Sequence, residues 1–253
     1  MGIVEIATAG GIICLAGAAQ SIVGFGYALF ATPLLLGLGW PLQGVITLVA
    51  TCSLLQSLMG IRALQSTLPW RETFVASTVR FLGLLIGLAL LKQLSLLPPN
   101  QIRAIVGGLV CTLVAVQAVW RPRQGGSTHW GWGGTAFLSS GVLAGLCGMG
   151  APPLVLWSMS KDWSANRTRA FLFAVFATSI PIQLVMLGLT FGMDILWNAL
   201  AALAFLPLIY GGAVIGLPIG AKIAKPKLRA IAYAMLLVIG VSSAAPEIVA
   251  LIR

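Results

Sequence analysis

Charge is what this sequence has least of. Asp, Glu, Lys and Arg together make up 8% of its 253 residues, where a soluble globular protein carries roughly 25%. No charged residue occurs from Ile6 to Ile61, and that run is far longer than the roughly 20 residues that cross a bilayer once as a helix. Acidic residues are scarcest. The five present, Glu5, Glu72, Asp162, Asp194 and Glu247, all fall at or near the ends of apolar segments, so no Asp/Glu proton relay and no acid–base pair is expected at mid-depth. The single histidine, His129, lies in a central linker. Cys14, Cys52, Cys111 and Cys147 sit inside apolar runs without metal-ligand spacing. No ATP-binding motif is present. These absences argue against an intramembrane enzyme and against hydrolysis-driven work by this chain, and no cofactor or metal is expected. The period-2 alternation of barrel strands is also missing.

What is present is apolar and helical. Hydrophobic residues make up 59% of the chain, and backbone polar groups in lipid must be satisfied within each segment. The composition therefore reads as an all-α, polytopic integral membrane protein. The net charge of +10 comes from basic residues in short gaps between spans, which marks the cytoplasmic side rather than a nucleic-acid partner; membrane lipids are the expected surroundings. Ala16-Gly17-Ala18 has the look of a leader cleavage site, but Glu5 and the absence of Lys or Arg before it favour a first membrane segment.

The chain repeats itself at about half its length. Gly24-Phe25-Gly26 has a counterpart in Gly148-Met149-Gly150, each followed by a proline-bearing apolar run at Pro33 or Pro153. Ala50-Thr51-Cys52-Ser53-Leu54-Leu55-Gln56 matches Ala177-Thr178-Ser179-Ile180-Pro181-Ile182-Gln183. Gly83-x-x-x-Gly87 matches Gly212-x-x-x-Gly216, and Ile102-Arg103-Ala104-Ile105 matches Leu228-Arg229-Ala230-Ile231. All four pairs keep their order at spacings of 124–129 residues. The expected domains are an N-terminal repeat, 1–123, and a C-terminal repeat, 130–253, forming one membrane domain. Each opens on a broken or re-entrant helix pair (3–38; 130–158) and continues with three transmembrane helices (42–61, 72–91 and 102–120; 168–190, 195–219 and 229–251).

Charge orients these segments. If each broken stretch contributes evenly, the gaps at 62–71, 121–130, 158–169 and 220–229 share one face with 11 Lys/Arg, and the other face holds 3, with Arg80 left out as lying within a span. The two repeats are then inverted, the architecture of secondary transporters with discontinuous helices. Both termini are expected on the non-cytoplasmic side of a plasma (inner) membrane. Glycines let the backbone unwind at the breaks, and short helices starting after Gly26 and Gly150 aim unpaired N–H groups and positive dipole ends inward, an anion site without a buried lysine.

At these residues the chain resembles the TauE/SafE sulfite-exporter family, also called the toluene-sulfonate uptake permeases (TSUP). Ser21-Ile22-Val23-Gly24-Phe25-Gly26…Pro33-Leu34-Leu35 follows its first glycine motif, with Ser21 in place of a glycine. Gly148-Met149-Gly150-Ala151-Pro152-Pro153 follows the second. The resemblance implies a membrane transporter of a small anionic sulfur compound such as sulfite, thiosulfate or a sulfonate, without fixing the substrate or the direction.

The candidate substrate-binding residues are Gly24, Phe25, Gly26, Gly148, Met149 and Gly150 at the breaks. Gln56 and Gln183 at one repeat position, and Thr51, Ser53, Thr178 and Ser179 beside them, could add donors to an oxyanion; interhelical hydrogen bonding is the alternative role. Gln20 and Ser21 lie one turn before the first break. Arg80, inside a span, is either a substrate contact or a side chain reaching back to the headgroups. Gly83/Gly87 and Gly212/Gly216/Gly220 have helix-packing spacing. The expected function is alternating access around the two breaks; the competing reading is a transporter or channel for another small solute. A homodimer is left open.

Overall fold

A computed structural model describes residues 3–119, 130–223 and 226–227. The central linker with His129 and the expected last span, 229–251, lie outside the described residues. Ten α-helices and no strand occur among the described residues: α1 Ile3–Val23, α2 Tyr27–Gly37, α3 Leu42–Leu64, α4 Trp70–Leu94, α5 Pro99–Val119, α6 Trp130–Cys147, α7 Ala151–Ser160, α8 Ala165–Phe191, α9 Trp197–Ala201 and α10 Leu206–Lys222. The all-α, polytopic expectation holds. Among the described residues, five segments are long and apolar enough to cross a membrane: Val4–Val23, Leu42–Thr67, Trp70–Leu94, Ala165–Phe191 and Met193–Lys222.

Proline and glycine set the boundaries. Pro41 and Pro69 precede α3 and α4, and Pro99 opens α5, positions where a missing N–H costs nothing. Both expected breaks are present, α1 giving way to α2 at 24–26 and α6 to α7 at 148–150. The expected span 195–219 differs: it is interrupted by 3-10 turns at Met193–Leu196 and Ala202–Phe205. Pro207 opens the helix that follows; it has no N–H to continue a ladder, and its ring crowds the turn before it.

Glycine sets the packing. A Cβ on Gly83 would strike the Leu138 carbonyl, and one on Gly87 the Val142 carbonyl; Gly141 and Gly145 meet the Arg80 and Leu84 carbonyls in the same way. α4 and α6 therefore touch backbone to backbone. α10 makes the matching contact with α1, where a Cβ on Gly212 would lie 2.9 Å from the Ala18 nitrogen and one on Gly216 2.7 Å from the Ala18 oxygen. Small residues permit this approach, and dispersion between close backbones rewards it. Each tight pair joins a helix before the linker to one after it. Between the pairs, α3 packs on α8.

Candidate functional site

The first break is built by two left-handed glycines, Gly24 (φ 93°) and Gly26 (φ 104°). The Gly24 N–H donates to the Gln20 carbonyl at 2.7 Å and closes α1, while the Gly26 carbonyl accepts from Phe30 N–H at 3.0 Å and opens α2. The N–H groups of Tyr27, Ala28 and Leu29 are thereby left without partners inside the helix, and these three residues line a cavity. At the second break Gly148 (φ 77°) donates to Ala144 O at 3.0 Å and Met149 N–H to Leu143 O at 3.2 Å. The Ser140 hydroxyl donates to the Gly150 carbonyl.

The two helix starts are not equivalent, which corrects the expectation of two matching amide clusters. α7 begins Ala151-Pro152-Pro153, and the prolines bring no N–H, so only Ala151 among the first three residues can donate. A cation stands in their place: a Cβ on Gly150 would lie 2.8 Å from Arg80 Nη2.

The cavity lies between the two breaks. It also reaches Ser53 at the midpoint of α3, with Arg80 and Ile180 near the midpoints of α4 and α8. It has about 30 Å³ of room for water centres, enough for about two waters at 10–15 Å³ each. That is the scale of a small inorganic oxyanion.

Of the expected site residues, the cavity gathers Gln20, Gly26, Ser53, Arg80, Gly148, Met149, Gly150 and Gln183. Gln20 is held by α3, its Oε1 accepting from Ser53 Oγ at 3.1 Å and its Nε2 donating to Ser57 Oγ at 3.1 Å. Arg80 is 3% exposed. It turns inward, donating from Nη1 to Ser179 Oγ and to Val175 O, with its guanidinium 5.4 Å from the Phe176 ring centre. Its Nε has no partner, and among the described residues no carboxylate pairs with it. It does not reach back to the headgroups. A buried cation with no anionic partner costs several kcal/mol, of which these hydroxyl, carbonyl and ring contacts offset a part.

Ser21, Gly24, Phe25, Thr51, Gln56, Thr178 and Ser179 are not among the residues lining the cavity. Thr51 and Thr178 donate to carbonyls of their own helices, Thr47 O and Ala174 O, both at 2.9 Å. Phe25 is buried in the core. Gln56 Nε2 donates to Gly17 O at 3.2 Å and to Ser21 Oγ, and Gln183 Nε2 donates to Ala144 O at 2.9 Å. Each backbone acceptor lies 39 residues before its glutamine, so the paired glutamines serve the same purpose: each ties its long helix to the C-terminal part of the broken helix before it. Replacing Gln56 by leucine is expected to cost about 0.6–2 kcal/mol, the range for hydrogen bonds between membrane helices, seen as a lower melting temperature with transport retained.

Sequence reasoning missed Arg169, which it counted only among the basic residues of the gap at 158–169. The Ser164 hydroxyl accepts from Arg167 N–H at 3.2 Å and caps α8, so Arg169 falls inside the helix, fully buried. Its Nη2 donates to Ser21 O at 2.6 Å and Leu217 O at 3.4 Å, and Nη1 to Asn166 Oδ1 at 3.3 Å. Ser21 lies in the last turn of α1, where the helix dipole is negative, and Leu217 in α10, so Arg169 has carbonyl partners on two helices, although its Nε, like that of Arg80, has none. Gly24 makes room for it: a Cβ there would lie 3.0 Å from the Arg169 Cα.

Gly26→Ala is expected to abolish transport while the protein still inserts. The left-handed conformation costs a non-glycine residue about 1–2 kcal/mol, and relief of that strain turns the α2 amides out of the cavity. Substrate-dependent thermal stabilisation, lost in the variant, is the check.

These features define a polytopic helical membrane protein built around a small buried polar cavity. Within that class the chain belongs to the sulfite exporter TauE/SafE family, which it matches over residues 9–243. It is similar to the probable sulfite/organosulfonate exporter TauE of Cupriavidus necator, 22% identical over 237 residues that cover 90% of each chain. No solved structure matches it.

Proposed function

We propose that this protein is a secondary transporter of small sulfur-containing anions (sulfite, thiosulfate or a sulfonate) and that the central cavity is its binding site. The observation that carries the reading is Arg80, a buried guanidinium without a carboxylate partner among the described residues, in the same cavity as the three α2 amides that have no partner inside their helix. A charge-assisted pair there is stronger than a neutral hydrogen bond, and amides at a helix start favour an oxyanion. Gln20, Ser53 and Gln183 supply further polar groups. The family membership supports the sulfur chemistry, and the related exporter from Cupriavidus necator supports the substrate class.

The two repeats, 1–123 and 130–253, are inverted in this reading, with both termini outside the cytoplasm of an inner-membrane protein. Alternating access opens the cavity to either side in turn. Because α1 is locked to α10 and α4 to α6, the moving bodies are these pairs, turning about the central α3–α8 contact. No catalytic step is assigned to the chain.

The test is uptake of labelled sulfite into proteoliposomes, with sulfate, potassium and a neutral solute as controls. Saturable sulfite flux that potassium and the neutral solute leave unchanged supports the proposal. Flux of cations or of uncharged solutes alone transfers the cavity to the other reading, a carrier or channel for a different solute.

A further inference from the structure

A second, smaller cavity adjoins the first. It lies between α4, α6 and α8, and Arg80 and Gln183 line both cavities, so these two side chains form the partition. The chambers differ in character. The central one offers amides, Gln20 and Ser53. The second is walled mainly by Phe81, Leu84, Ala144 and Ile182, with the Ser77 and Ser179 hydroxyls at its edge. It has about 10 Å³ of room for water centres, space for about one water. A second sulfur oxyanion is too large for it; the terminal carbon of a one- or two-carbon tail, about the size of a water, fits.

Arg80 joins the two chambers chemically. Nη1 is committed to Ser179 and Val175, which leaves Nη2, beside Gly150, for the central chamber. The planar fork of the guanidinium can thus face a sulfonate on one side while its edge borders an apolar slot.

We propose that this slot is the tail subsite of an organosulfonate. The sulfonate group occupies the central cavity against Arg80 and the α2 amides, and a tail of one or two carbons passes between Arg80 and Gln183 to lie against Phe81, Leu84 and Ile182. The proposal rests on the central cavity being the anion site. Sulfite, having no tail, leaves the slot to water. Tail length then sets specificity, and Ile182, 40% exposed at the rim of the slot, is the residue that sets it.

The experiment is competition against labelled sulfite uptake in proteoliposomes by methanesulfonate, ethanesulfonate, butanesulfonate and benzenesulfonate. The two short sulfonates should compete and the two larger ones should not. Ile182→Phe fills the slot and should weaken ethanesulfonate competition by about tenfold or more, the discrimination a hydrophobic pocket gives per methylene. Ile182→Ala should improve butanesulfonate by a similar factor. Sulfite uptake is the internal reference, since sulfite does not reach the slot. If sulfite is taken up but neither variant alters the ranking of the sulfonates, the tail subsite is wrong and the central site stands. If the wild-type protein takes up neither sulfite nor any sulfonate, the central site itself is wrong.

Discussion

Replacing Arg80 by glutamine is expected to raise the sulfite concentration needed for half-maximal uptake by about 10- to 100-fold. A hydrogen bond to a charged group contributes about 1.5–3 kcal/mol, and each 1.4 kcal/mol is tenfold in affinity. Among the described residues Arg80 is the only charged side chain lining the central cavity, so its loss leaves an anion with amides and neutral side chains. Arg80→Lys should recover only part of the loss. A lysine is a single point charge on a flexible stem and cannot hold Ser179 and Val175 while also facing a ligand. Stability should move the other way. An unpaired buried cation is a burden to the empty protein, so the ligand-free glutamine variant should melt no lower than wild type. Loss of affinity with an unchanged or raised melting temperature separates a binding role from a structural one. A parallel fall in both would make Arg80 a packing residue.

The second large effect concerns the α4–α6 contact. Gly83→Leu is expected to prevent recovery of folded protein, and Gly83→Ala to lower the melting temperature sharply. No rotamer change can relieve the clash, because a Cβ at Gly83 meets the Leu138 carbonyl and lies 2.9 Å from the Val142 nitrogen, and backbone atoms move only if the whole helix moves. Overpacking typically costs about 1–3 kcal/mol; here it also opens the neighbouring contacts at Gly87, Gly141 and Gly145. Gly134→Ala is the control on the same helix pair. Nothing lies within 4 Å of a Cβ at Gly134, so alanine there should be neutral or stabilising by up to about 1 kcal/mol through helix propensity. Thermal melts of detergent-solubilised protein check all three variants.

The parts of this architecture that were legible in the sequence are those that a local pattern dictates. Gly24, Gly26, Gly148 and Gly150 interrupt otherwise charge-free runs, and the backbone breaks at those places. The glutamines at 56 and 183 stand at one repeat position, and both make the equivalent backbone hydrogen bond. What the sequence did not reveal depends on neighbours distant along the chain. Gln183 reaches the cavity and Gln56 does not, although their surroundings in sequence match. Arg169 looks like a loop cation until Ser164 is seen to cap α8. The shortage of amides at α7 was written in Pro152 and Pro153, but its meaning required Arg80, whose place beside Gly150 follows from the α4–α6 contact. Ile182, which reads as an ordinary apolar residue, lines a slot because residues of α4, α6 and α8 meet there.

The glycine contact between α1 and α10 has a consequence for how the chain is made. α1 leaves the ribosome early, yet the α10 backbone it rests on is synthesised roughly 190 residues later, a delay of roughly 10–40 s at 5–20 residues per second. Throughout that interval α1 is held by α3 through Gln20 and Gln56, while the glycine-matched face that α10 covers stays open. Biogenesis of this protein is therefore a problem of keeping one face of α1 unclaimed until α10 emerges, and insertase dependence should be greatest for α1.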